Sequence, residues 1–272
     1  MLHLTRTWNA ISATAFMRRG LALARDYARK RVAFGAPLAE KPLHIDTLAT
    51  LQAEFEAAFH LTFYGVELIG KEEAGEITED ETALLRLLTS INKLVTGRQA
   101  MAVTSEILEA HGGAGYVEDT GLPLLLRDAQ VLPIWEGTTN VLALDTLRAL
   151  QDGEPLAALA RKVEQCAESV REDGLKTAVQ FATQAISHAQ TWLQYALQQG
   201  QPALEAGARR FALTLGRALA LALLAEHAQW SLDVEGDRRG VTAVHRFAQS
   251  PINLITPAEN LHDLYALAND LS

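Results

Sequence analysis

The stretch ITEDETALLRLLTSINKLVTGRQAMAVTSEILEAHGG, residues 77–113, decides the fold. Its body is rich in Ala, Leu, Glu and Arg, strong helix formers with few β-branches. Thr78 is followed three residues later by Glu81, the capping-box spacing that opens a helix. The helix is predicted to run to about His111, where Gly112 and Gly113 stop it.

The same pattern extends in both directions. Upstream, residues 45–70 read as a helix with Leu48, Leu51, Phe55, Phe59 and Phe63 on one stripe and Glu54 and Glu56 off it. Residues 5–31 read as another, with Ala13, Phe16, Met17, Leu21, Ala24 and Ala28 at helical spacing, ended by Phe34-Gly35-Ala36-Pro37. Downstream, residues 121–128 suit a short helical turn, and 138–150 a helix with Val141, Leu144 and Leu147 inward. Gln151-Asp152-Gly153-Glu154-Pro155 reads as a boundary, followed by helices over about 156–171, 175–198 and 202–232. The expectation is an all-α chain: an antiparallel, four-helix-bundle-like domain over residues 1–150 and a second helical unit over 154–272.

Composition agrees with a packed, globular chain. Of 272 residues, 49% are hydrophobic and 21% charged, which disfavours disorder. The formal net charge of -9 offers no general pull toward nucleic acid or an anionic membrane. Cys166 stands alone, so neither an internal disulfide nor a thiolate metal site is available, and a reducing, cytoplasmic setting is expected. The start has no signal-peptide pattern. The most apolar run, ending before Glu226 and His227, is broken by Arg217, so a buried helix and no membrane span are expected.

Several chemistries are excluded by pattern. The HGGAG motif follows a predicted helix, not a strand, which removes the usual nicotinamide-binding βαβ reading. No two of the eight histidines form a zinc-type pair with a flanking glutamate, so no metal is expected. No serine has a nucleophile-elbow context.

Three segments stand out: YARKRVAFGAPL at 27–38, EAHGGAGY at 109–116 and RDAQVLPIWEGTTNV at 127–141. In the first, Arg25, Arg29, Lys30 and Arg31 sit where positive charge suits a helix C-terminus. The alternative is that Arg31 is aimed at a phosphate, with Phe34 offering an aromatic face. In the second, Gly112, Gly113 and Gly115 either serve a helix C-cap or let the backbone approach a ligand closely. His111 beside them suits a C-cap. In the third, Glu136 lies after the apolar Val131, Leu132, Pro133 and Ile134 and between Trp135 and Gly137, before a helix that Thr138 or Thr139 can cap. It is either a first-turn glutamate on the helix dipole or a desolvated carboxylate serving as a general base.

Together, in this order and spacing, these segments resemble the C-terminal helical domain of the acyl-CoA dehydrogenase family. The resemblance rests on R-x-x-F-G at 31–35, the glycine loop at 112–116, R-D-A at 127–129 and E-G-T at 136–138, and covers roughly residues 1–150. It implies FAD as cofactor and an acyl-CoA thioester as substrate. Glu136 would then be the base that takes the α-proton while the β-hydrogen leaves as hydride. It also implies that Arg31 and Phe34 reach FAD across a subunit interface in a homo-oligomer, a dimer or tetramer. Gly112, Gly113, Thr138 and Asn140 would contact the cofactor; Arg6, Trp135 and Gly137 would face the substrate. An electron-transfer acceptor protein is a further implied partner.

The chain departs from the family pattern in places. Ala33 stands where many relatives carry a hydroxyl or amide, and Glu109 where many carry glutamine, so the resemblance does not carry over the cofactor hydrogen bonds of those two positions. Family members usually carry an N-terminal helical domain and a middle β-barrel, and neither is found before this segment, so a fragment or half of a split protein is expected. The portion after Gly153 resembles the extra helices of the alkylation-response branch, some of whose members bind DNA. Acidic residues outnumber basic ones there, which weighs against nucleic acid, although a patch around Arg209, Arg210 and Arg217 stays open. Two other readings also stay open: a DNA-associated helical module, and a structural or oligomerisation unit without activity of its own.

Overall fold

A computed structural model of the chain describes residues 2–151, 153–257 and 260–270. Eleven helices account for most of these described residues: α1 (Leu2–Lys30), α2 (Pro42–Ala74), α3 (Glu79–Ala110), α4 (Gly113–Tyr116), α5 (Leu122–Val131), α6 (Thr139–Ala149), α7 (Glu154–Ser169), α8 (Asp173–Gln199), α9 (Gln201–Glu235), α10 (Arg239–Ala248) and α11 (Leu261–Ala268). Among the described residues the sheet content is one antiparallel hairpin, β1 (Val32–Ala33) and β2 (Ala36–Pro37). The all-α expectation holds. Asp152, inside the predicted boundary, lies outside the described residues.

The local chemistry of α3 is the one its sequence calls for. Glu81 N donates to Thr78 Oγ1 at 3.2 Å and Thr78 N donates to Glu81 Oε2 at 3.0 Å, so each group satisfies an otherwise orphaned amide. At the other end His111 occupies the C-cap position, its Nδ1 lies 2.7 Å from the Ile107 carbonyl, and Gly112 turns the chain with φ 60.

Helices α1, α2 and α3 pack against one another, and α5 and α6 run in succession along α3. The chain passes Gly97 at Leu132 and Pro133, then Lys93 at Gly137, so it descends α3 as its own numbering rises. The fourth column of the bundle is therefore antiparallel to α3 and broken at residues 132–138. A smaller core of Ala13, Met17, Leu21, Val103 and Ile107, with neighbours from α2 and α5, fills one end. The larger core is continuous from α2, α3 and α6 into α7–α10, with α9 at its centre. The Arg217–Glu54 ion pair (3.1 Å) and the Arg161–Asp80 pair (2.7 Å) also join the late helices to the early ones.

Several expectations are corrected. The apolar stripe expected of α2 includes Phe59 and Phe63, yet both are exposed; the buried face is Leu51, Ala53, Ala57, Ala58, Leu61, Thr62, Gly65 and Leu68. Small residues there let α2 come close to α3, and a Cβ on Gly65 would meet the Asn92 amide at 2.7 Å. Glu54 is not simply a solvated residue, since it holds Arg217. In α6 Leu144 and Leu147 pack partly buried against the core as expected, but Leu142, Ala143 and Thr146 are the fully buried residues and Val141 is exposed. Arg217 is withdrawn from any basic patch by its pairing with Glu54 and its bond to the Pro251 carbonyl. The short β1–β2 hairpin, α10 and α11 have no counterpart among the predicted elements. Helix α9 is long and apolar enough to cross a bilayer by length and composition, but 78% of its most apolar window is buried inside the fold.

Candidate functional site

The break in the fourth column of the bundle carries Glu136. Its backbone is left-handed, φ 55, and Gly137 follows at φ 105. Glycine adopts such angles freely, whereas for glutamate the left-handed region is strained and persists only where neighbours enforce it. The enforcing neighbours are identifiable. From α1, Asn9 Nδ2 donates to the Leu132 carbonyl at 3.1 Å, and one turn earlier Thr5 Oγ1 donates to Glu136 Oε2 at 3.1 Å. From α3, Gly97 lets Pro133 N approach to 3.4 Å of where a Cβ would stand, and one turn earlier the Lys93 ammonium donates to the Gly137 carbonyl. Each helix thus presents an i, i+4 pair to the same loop, residues 132–138.

Beneath this loop lies a buried charge cluster. Arg6 donates to Asp145 at 2.7 Å and to Ser90 Oγ at 3.0 Å, and its Nε is buried without a partner. Lys93 is fully buried; desolvation foremost, then the nearby Arg6 charge, push its pKa down to about 8, partly offset by the Glu136 carboxylate.

The expected environment of Glu136 is corrected in one respect. Val131, Ile134 and Trp135 are exposed and only Leu132 and Pro133 of the apolar run are buried, so the flank does not wrap the carboxylate within this chain. Thr138 occupies the N-cap position of α6 but forms no side-chain cap bond; it and Asn140 are exposed, as is Trp135.

A second group of predicted residues lies at the other end of α1. Residues 6 and 31 are separated by about 37 Å along that helix, at 1.5 Å per residue. There the Phe34–Gly35 turn joins β1 to β2 with φ 51 and φ 84, the two-residue hairpin geometry. Phe34 is 97% exposed at its tip. Arg31 is exposed and has no ion-pair partner among the described residues, whereas Lys30 pairs with Asp26 and Arg25 with Gln52. The glycine loop is at this end too, since His111 packs on Tyr27 with ring centroids 4.8 Å apart.

The three glycines of that loop differ in what requires them. Gly112 needs its positive φ, and at Gly115 a Cβ would lie 2.0 Å from the Leu108 carbonyl oxygen. At Gly113 a Cβ would meet nothing, so nothing among the described residues requires glycine there. Beside the loop is a cavity of about 420 Å³ lined by Glu109, Gly112, Tyr116 and Arg127 among others. Arg127 is held by a two-pronged pair with Glu118, at 2.7 and 2.9 Å. A larger groove, about 840 Å³, lies elsewhere, between α2, α7 and α9, and contains none of the predicted site residues. No cluster of potential metal ligands exists among the described residues.

The residues singled out by motif thus belong to two separate ends of the bundle, and Thr5, Asn9, Lys93, Gly97 and Asp145 lie outside those motifs. A signal exists for Lys93: a lysine set among Leu87, Leu88, Ile91, Leu94 and Val95 of a core helix is costly unless it is compensated.

Comparison with known proteins bears directly on this arrangement. Residues 1–151 match the family described as "Acyl-CoA dehydrogenase, C-terminal domain", and residues 154–270 the one described as "Acyl-CoA dehydrogenase 11 C-terminal domain-like". The chain is 43% identical over 234 residues, 84% of its length, to acyl-CoA dehydrogenase family member 11 of Caenorhabditis elegans, and spans 38% of that relative. It is 34% identical over 147 residues, 54% of its length, to the putative acyl-CoA dehydrogenase AidB of Escherichia coli, of which it spans 26%. The solved structure of the Caenorhabditis elegans protein in complex with C11-CoA superposes with a TM-score of 0.93 at 37% identity, covering 99% of this chain and 47% of that one. With the first match taking in more than half of its residues, the chain belongs to the acyl-CoA dehydrogenase family.

Proposed function

We propose that this chain supplies the proton-abstracting half of an acyl-CoA dehydrogenation. Glu136 takes the α-proton of an acyl-CoA thioester. The observation that carries this reading is the enforced left-handed turn at Glu136, braced from α1 by Thr5 and Asn9 and from α3 by Lys93 and Gly97. A solvated first-turn glutamate needs no such bracing, whereas a base must be held in one position relative to the proton it removes. The C11-CoA bound by the Caenorhabditis elegans relative supports a fatty acyl thioester as the substrate class. Trp135 and Gly137 would wall the reacting carbons, and Arg6 would lend positive charge beneath the thioester.

The cofactor would be FAD, which when bound accepts the β-hydrogen as hydride. The residues fit it at two places. Near Glu136, exposed Thr138 and Asn140 offer a hydroxyl and an amide. At the far end of α1, Arg31, exposed Phe34 and the open Gly113 offer a cation for a phosphate, an aromatic face and an unobstructed backbone. About 37 Å of helix separates the two groups, so one cofactor would meet them from two different protomers, which makes a homo-oligomer part of the proposal. Family-level assembly supports the same reading. A reducing, cytoplasmic location is part of the same proposal and rests on Cys166 being the chain's one cysteine.

The test is rapid mixing of the flavin-loaded protein with a panel of acyl-CoA thioesters. Flavin bleaching by the wild type and a fall of about 10²- to 10⁴-fold in Glu136→Gln, with acyl-CoA binding retained, is the expected result. Bleaching at the wild-type rate in Glu136→Gln would remove the assignment of the base.

A further inference from the structure

Lys93 has the burial of a core leucine and the chemistry of a site residue. It lies in the middle of α3 with no solvent exposure, flanked by Ile91, Leu94 and Val95, which are equally buried. An ammonium ion in such a place costs several kcal/mol unless compensated. The compensation available among the described residues is lean. Its hydrogen bond goes to the Gly137 carbonyl, its nearby counter-charge is Glu136, and Arg6 opposes it. Arg6 is itself committed to Asp145 and Ser90, so Asp145 does not serve Lys93. A leucine or methionine would be the better choice for stability alone.

The atom Lys93 holds points to its role. Gly137 O belongs to the peptide that follows the strained Glu136–Gly137 turn, at φ 55 and φ 105. Thr5 touches the carboxylate itself, and Asn9 and Gly97 fix the loop at Leu132 and Pro133. Among the described residues, Lys93 is the side chain that grips the backbone on the C-terminal side of Glu136 from within the core. Without it, the backbone is held as far as Trp135, whose amide bonds the Val131 carbonyl at 3.1 Å, and next at the start of α6, so Gly137 can swing through the wide range glycine permits.

We propose that Lys93 is a positioning residue for the base: its ammonium, fixed on the Gly137 carbonyl, holds the left-handed turn that aims the Glu136 carboxylate. The inference rests on the reading of Glu136 as the base. It also implies that the residue trades stability for activity, because the buried charge is unfavourable to the fold.

The experiment uses the flavin-loaded protein and compares wild type, Glu136→Gln, Lys93→Met and Lys93→Ala in acyl-CoA-driven flavin bleaching, acyl-CoA binding and thermal unfolding. Wild-type bleaching that is lost in Glu136→Gln establishes the base first; if that pair fails, the functional reading falls and the proposal with it. Given that pair, Lys93→Met is expected to bleach about 10²-fold more slowly, the scale on which slight misplacement acts, with acyl-CoA affinity maintained and Tm at or above that of the wild type. Lys93→Ala is expected to be slow as well and to recover when propylammonium, the group the truncation removes, is added. Wild-type bleaching in Lys93→Met overturns the proposal. So does a parallel loss of Tm, flavin and acyl-CoA binding in both variants without propylammonium rescue, which would make Lys93 a purely structural residue.

Discussion

Thr5 Oγ1 donates a hydrogen bond to Glu136 Oε2 at 3.1 Å, linking the first turns of α1 to a loop 131 residues later in the chain. A hydrogen bond to a charged group is worth about 1.5–3 kcal/mol, enough to decide which way a half-exposed carboxylate points. Thr5→Val preserves shape and removes the hydroxyl. It is expected to slow acyl-CoA-driven flavin reduction about tenfold and to lower stability by no more than about 1.5–3 kcal/mol, read by rapid mixing and by calorimetry.

The glycine loop separates structural need from ligand need at neighbouring positions. Gly115→Ala drives a Cβ to 2.0 Å from the Leu108 carbonyl oxygen, a backbone atom that cannot step aside, so it is expected to cost at least about 1–3 kcal/mol of stability. Gly113→Ala meets open space and sits at the start of α4, so its stability should equal or exceed that of wild type by up to about 1 kcal/mol. If Gly113 is there for cofactor approach, the same substitution raises the Kd for FAD. Calorimetry and flavin titration of the pair check both statements.

The helix ends are legible in the sequence because their signals are local. Thr78 with Glu81, the glycine stop after His111 and the alternation of helix formers and breakers make α1–α3 and α5–α9 recognisable, with ends displaced by only a few residues. Which face of α2 is buried is not a local property. Phe55, Phe59 and Phe63 form a periodic apolar stripe, but the neighbour α3 selects Ala53, Ala57 and Gly65, whose small size permits close approach. The site divides in the same way. Glu136 and its flanking Trp and Gly form a contiguous motif, whereas Thr5, Asn9, Lys93 and Gly97 acquire meaning only when two helices deliver their i, i+4 pairs to one loop. Helices α10 and α11 escape sequence reading because they are only ten and eight residues long, too short for a periodic stripe to stand out.

Stability should depend on pH through Lys93. Its folded-state pKa, about 8, lies below the ordinary lysine value of 10.5, so the native state holds fewer protons than the unfolded chain between those limits and stability rises with pH across the window. Below about 8 the unfavourable buried charge is fully present; toward 10.5 it fades as the amine becomes neutral. Lys93→Met lacks this dependence. The difference in Tm between the variant and wild type is therefore expected to be most in the variant's favour near neutral pH and to shrink steadily as the pH approaches 10.5. A difference independent of pH over that range would show that the lysine is solvated.

The early and late helices share one core, and Arg217 ties them further. With side-chain exposures of 12% and 18%, the Arg217–Glu54 pair is largely removed from water, and Arg217 also lies over the Phe247 ring and bonds the Pro251 carbonyl. Glu54→Ala leaves an uncompensated guanidinium and is expected to destabilise by about 3 kcal/mol, more than a surface pair would. Because the core runs unbroken from α2 to α10, the loss should appear as a shift of one cooperative transition and not as early melting of residues 154–270. Two resolved transitions in calorimetry would instead support residues 1–150 and 154–272 as independently folding domains.

The separation along α1 gives the assembly a decisive genetic test. Arg31 and Glu136 lie near opposite ends of that helix, about 37 Å apart, so a cofactor that Arg31 contacts in one protomer would be served by Glu136 of another. Consider a dimer co-expressed from one chain carrying Arg31→Ala and another carrying Glu136→Gln, with a different affinity tag on each. If the two residues serve different protomers' sites, one site of each hetero-dimer receives both lesions and the other receives none, so the purified hetero-dimer regains roughly half of wild-type flavin reduction. If both residues act within the same protomer's site, every site carries one lesion and no activity returns. Both homo-oligomers must first be shown to be impaired, Arg31→Ala in FAD retention and Glu136→Gln in bleaching. Recovery in the mixed assembly alone then establishes that the cofactor is held between chains, and its absence overturns the shared site while leaving the assignment of Glu136 intact.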